Sequence, residues 1–188
     1  MGLLSADETI VWQRFQAGQS TTEIALESER MITLLKQRGI RKENSKAEWD
    51  SSYVSRVLNR TRKKIKKTLQ EHALSHRLDI ESILDYHGLL IGYDYQTNSK
   101  VFLIFTVDLG IVVWYKHADW LGKLCPNCPK KDECRETLDT ILEEYNLKLR
   151  PDEEVLHMTE QSLEIFEKLA AKEIPRYRRK HETKEVDR

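Results

Sequence analysis

Long apolar runs are missing from this chain. None approaches the roughly 18 consecutive apolar residues that a membrane-crossing helix needs, and the N-terminus lacks the basic segment and apolar core of a secretory signal. The expectation is a cytoplasmic protein with no membrane partner. Cysteine is scarce: the three present are clustered and odd in number, which argues against a secreted disulfide framework and for reduced thiols or metal ligation. Net charge is absent too, with 31 Lys and Arg against 31 Asp and Glu. No internal repeat and no low-complexity segment occurs. Nor is there a carboxylate cluster beside a phosphate-binding glycine loop, or a nucleophile and base in a recognisable context, so nothing points to an enzyme.

What is present is a core-forming share of apolar residues, 39%, enough for one or two small domains. The zero net charge hides an asymmetry. Lys36 to Lys67 holds twelve Lys and Arg against Glu43, Glu48 and Asp50, whereas Asp132 to Glu167 holds twelve Asp and Glu against Arg135, Lys148 and Arg150. A basic segment beside an acidic one is the electrostatic footprint of a polyanion site, with attraction between the two halves as the plain alternative.

The basic segment is centred on Trp49 to Leu69. Val57, Leu58, Ile65 and Leu69 lie three, four, eleven and fifteen residues after Val54, so they line one stripe of a helix. Asp50, Ser51 or Ser52 is the candidate cap. Ser52, Tyr53, Ser55, Arg56, Asn59, Arg60, Arg62, Lys63, Lys64, Lys66 and Lys67 fill the remaining positions with no acid among them. A helix in a DNA major groove reads base edges with its leading turns and holds phosphates with the cations behind them. That order assigns Ser52, Tyr53, Arg56 and Asn59 to bases and Arg60, Arg62, Lys63, Lys66 and Lys67 to phosphates. A solvated charged face is the bland reading of the same residues.

Upstream, Ser5 and Glu8 form a capping box ahead of a helix buried through Val11, Trp12 and Phe15 and ended near Gly18. Ser20 and Glu23 form a second box, followed by Ile24 and Ala25. Two capped helices joined through a glycine make a helix-turn-helix candidate. LSADETIVWQRFQAGQSTTEIA resembles the first two helices of the LuxR-type and sigma-factor region four family. YVSRVLNRTRKKI resembles its recognition helix, above all in archaeal Tfx-type regulators, through Val54, Ser55, Arg60, Arg62 and Ile65. The resemblance implies sequence-specific binding of double-stranded DNA. It covers under a quarter of the chain and departs from the family by an insertion, residues 26–50. Met31, Ile32, Leu34 and Leu35 continue the helical spacing of Ile24, so the second helix is expected to run to about Arg38, with Gly39 as its stop and a basic loop after it.

In the second half, Asp79 is expected to cap a short helix carrying Ile80, Ile83 and Leu84. Leu89–Tyr95, Lys100–Val107 and Ile111–His117 then read as a three-stranded antiparallel meander, too apolar to leave a face in water. Asp132 to Asn146 and a helix capped by Thr159 are the covering helices, and Pro175 stops the last. The expected fold is α+β: a helix-turn-helix domain over residues 1–76, a metal-binding, dimerising or sensing α+β domain over 77–174, and a basic tail over 175–188.

Cys125-x2-Cys128-x5-Cys134 is the sharpest chemical pattern. The first two form a chelating knuckle, and Cys134 joins them from the start of a helix. A tetrahedral zinc site needs a fourth ligand, for which His117 is best placed, ahead of His157 and His87. The spacing also resembles the triad holding an iron–sulfur cluster in WhiB-type regulators, which use a fourth cysteine that this chain lacks. Packing thiols or a Cys125–Cys128 redox pair complete the alternatives. His72 and His76, four apart, read as a solvated pair. Together these features point to a homodimeric DNA-binding transcriptional regulator. An adaptor whose basic helix binds an acidic protein, or a redox sensor, is the alternative.

Overall fold

A computed structural model describes residues 3–40, 48–116 and 128–175. Helix α1 (Ala6–Gln16) starts at the expected capping box: the Ser5 N–H donates to Glu8 Oε2 at 2.9 Å and the Glu8 N–H to Ser5 Oγ at 3.5 Å. Helix α2 (Thr21–Leu26) repeats it with Ser20 and Glu23. The second helix does not run on as one piece. It breaks at Glu27, which ends α2 and precedes α3 (Ser28–Gln37), and the stop at Gly39, with φ +67°, stands where the sequence placed it. The break lets Ile24 of α2 and Met31 and Ile32 of α3 join one core.

Helix α4 (Ser51–Ser75) is capped by Asp50, whose carboxylate accepts the Tyr53 N–H at 2.6 Å. Its apolar stripe Val54, Val57, Leu58, Ile65 and Leu69 is buried as expected and extends to Ala73. The helix closes when the Leu78 N–H donates to Ala73 O at 2.9 Å and Arg77 turns the chain at φ +54°.

Beyond it lies a four-stranded antiparallel meander, β1 (Asp79–Leu84), β2 (Leu89–Asp94), β3 (Ser99–Thr106) and β4 (Gly110–Tyr115), in sequential order. The expected three strands are its last three, and the predicted helix at Asp79 is strand β1. The spacing misled for a physical reason. Ile80 pairs with Gly92 and Ile83 with Leu90, two positions of one sheet face, because a bulge between Ile80 and Ser82 adds one residue. An offset of three then lands on a single side, as it would on a helix.

The sheet is covered on both faces. Phe105 of β3 meets Trp12 of α1 edge-on at 6.2 Å, on the side where α1 packs against α4. Its neighbours by alternation, Phe102 and Trp114, pack against Phe166 on the other side, with ring centroids at 4.4 and 6.3 Å. Phe166 belongs to α7 (Met158–Ala171), which packs on α5 (Lys131–Glu144), with the short α6 (Pro151–Glu154) between them in sequence. The first residue of α7 follows His157, not Thr159. The buried cluster is continuous from Val11 to Leu169, with α4 touching both the N-terminal helices and all four strands.

The ends of three helices meet at Lys172, whose Nζ donates to the carbonyls of Gln16 and Tyr145, closing α1 and α5. A cation suits two helix C-termini, although burial pulls its pKa down to about 8. His87 is 93% buried there, its Nε2 2.8 Å from Lys172 O. Among the described residues no helix is long and apolar enough to cross a membrane.

Candidate nucleic-acid interface

Helix α4 sorts its polar residues by angle. Opposite the buried stripe, the 3.6-residue turn brings Ser52, Arg56, Asn59, Lys63, Lys66 and Lys67 onto one solvent face, about 22 Å from first to last at 1.5 Å per residue. Asn59 is half-buried and the other five are exposed. Lys67 makes only an exposed pair with Glu71, at 3.7 Å. Arg56, Lys63 and Lys66 have no ion-pair partner among the described residues.

The remaining cations and Tyr53 turn aside and hold the helix in place. Arg60 Nε and Lys64 Nζ each lie 2.8 Å from a carboxylate oxygen of Glu8, whose side chain is only 1% exposed. Burial opposes the Glu8 charge, but the Lys64 ammonium, the Ser5 amide and Arg60 outweigh it and hold the pKa at about 2. Arg62 Nε lies 3.2 Å from Asp85 Oδ2, and its guanidinium stacks 3.7 Å above the Tyr86 ring. The Tyr53 hydroxyl donates to Asp7 Oδ2 at 2.7 Å. Ser55 is half-buried on the flank near Arg62. Of the ten residues named from the sequence, then, six share the outer stripe, Tyr53, Arg60 and Arg62 tie α4 to its neighbours, and Ser55 lies between.

The insertion is pinned shut. The Trp49 N–H donates to Ser28 Oγ at 2.9 Å, and the same hydroxyl reaches Trp49 O at 3.5 Å, with both residues at least 97% buried. Trp49 also packs against Tyr53, ring centroids 5.8 Å apart. Ser28, at the start of α3, and Trp49, just before the Asp50 cap of α4, are therefore held side by side, and α2 packs directly on α4. Nothing in the local spacing announces this pin, because Ser28 and Trp49 stand 21 positions apart.

Of the metal candidates, Cys125 and His117 lie outside the described residues. Cys128 is half-buried ahead of α5, and Cys134 sits in the first turn of α5, packed against the core. His157 is exposed at the start of α7, and His87 is engaged at Lys172. Among the described residues no group of three ligating side chains converges.

No protein-family model, curated protein or solved structure matches the chain. The helix-turn-helix resemblance rests on its own residues.

Proposed function

We propose that the chain is a sequence-specific double-stranded DNA-binding protein, a transcriptional regulator that lays the outer stripe of α4 in the major groove. The observation that carries this is the division of labour on α4. Acid-paired cations are on its flanks, while Ser52, Arg56, Asn59, Lys63, Lys66 and Lys67 face outward without an acid among them. Hydrogen-bonding groups lead and cations follow, the order that base reading and phosphate contact require. Arg56 suits a guanine and Asn59 an adenine, by bidentate pairing. The pinned insertion supports the same reading by keeping α2 against the start of α4.

Binding to a selected duplex, followed by fluorescence anisotropy across salt, tests it. Asn59→Ala is expected to lose about 1–3 kcal/mol of discrimination at one base position. Lys66→Gln should weaken all duplexes alike and lower the salt slope by about one. Affinity indifferent to salt, or identical behaviour of the two variants, would falsify the assignment and favour an acidic protein partner.

The reading extends to the cysteine loop as a structural zinc site built from Cys125, Cys128, Cys134 and His117, the spacing being what supports it. Zinc would supply a cross-link between the end of β4 and the start of α5. An iron–sulfur cluster on the same thiols is distinguished by a visible absorption band.

A further inference from the structure

We propose that the chain forms a two-fold homodimer by antiparallel pairing of β4 with β4 of a second copy, joining the two sheets edge to edge. The strand order leaves β1 and β4 as edges. An open edge is a template for another strand, and proteins block it with charges or bulges. β1 has both, in Asp79, Glu81 and the bulge between Ile80 and Ser82. β4, GIVVWY, has neither a charge nor a proline, and its register against β3 is unbroken from Tyr115 to Gly110.

The outward groups of β4 are ready to pair. The Lys116 N–H donates to Lys100 O at 2.8 Å. Alternation along an antiparallel ladder then directs the N–H and C=O groups of Ile111, Val113 and Tyr115 away from β3. Among the described residues no other backbone bonds to them. Their side chains are half-buried, so a neighbour has apolar surface to cover.

A second copy fits better than any other strand because the ends of β4 are complementary to each other. At its start, exposed Asp108 lies beside Glu144, which accepts the Val107 and Asp108 amides at 2.6 and 3.0 Å. At its end is exposed Lys116. Antiparallel pairing centred on Val112 sets Ile111 opposite the partner's Val113, two outward-facing residues, and Lys116 opposite the partner's Asp108 at both ends. One open edge per chain closes the assembly at two copies instead of growing a fibre.

The test uses the full chain without DNA, so its failure leaves the reading of α4 intact. Light scattering on the eluting protein should give the mass of two chains. The amides of Ile111, Val113 and Tyr115 should exchange slowly in the dimer and speed up on dilution. Lys116→Glu should raise the dissociation constant about tenfold or more, and Asp108→Lys in the same chain should restore it, neither residue being buried. A monomer at every concentration, a dimer in which those three amides exchange as in the monomer, or one indifferent to Lys116→Glu overturns the proposal.

Discussion

Glu8 is a buried acid that keeps its charge. It completes the capping box of α1 through the Ser5 N–H and receives Arg60 and Lys64 from α4, so one carboxylate fastens the start of the chain to its longest helix. Because its folded pKa, about 2, lies below the ordinary 4.5, its contribution is present above pH 4.5 and is lost as pH falls toward 2. The difference corresponds to about 3 kcal/mol at neutral pH. Glu8→Gln should therefore unfold at lower urea at pH 7, with the gap to wild type closing as pH is lowered through that window. Equal midpoints at pH 7 would mean that the clamp adds nothing. The partnership also shows where residue-by-residue reading stops: Arg60 stands 52 positions from Glu8, and no local pattern separates it from Lys63, which faces solvent.

At the scale of elements, α4 does two jobs with two faces, and Ser28 sets where it begins. The Ser28 hydroxyl serves both the N–H and the C=O of Trp49. Ser28→Ala leaves a buried backbone donor unpaired, at a cost of about 1–3 kcal/mol. The expected result is a lower unfolding midpoint together with faster exchange of the Trp49 amide. An unchanged amide would show that another group holds the turn closed. The capping boxes, the apolar stripe of α4 and strands β2 to β4 were readable because each depends on neighbours within a turn or a strand. Strand β1 was not, since its bulge is defined only by the register with β2.

Across the whole molecule, one apolar cluster runs through α1, α4, the sheet, α5 and α7, so the chain is expected to unfold as one unit. If zinc holds the cysteine loop, about one ion per chain is expected, and its removal by a chelator should lower the melting temperature of the protein as a single transition. The Cys134→Ser variant should melt low without chelator and respond little to it. Wild type that melts identically with and without chelator would leave these thiols as packing residues.

By itself the sequence determined the α+β class, the helix caps, the buried stripe of α4 and the concentration of positive charge along it, because these follow from periodicity and from side chains bonding their own backbone. Only the tertiary structure decided which cations stay outward on α4 and which are spent on Glu8 and Asp85, that Ser28 and Trp49 bond to each other, and that Asp79 opens a strand. Each of those outcomes is a contact between distant parts of the chain, and its energy exists only once the core has brought them together.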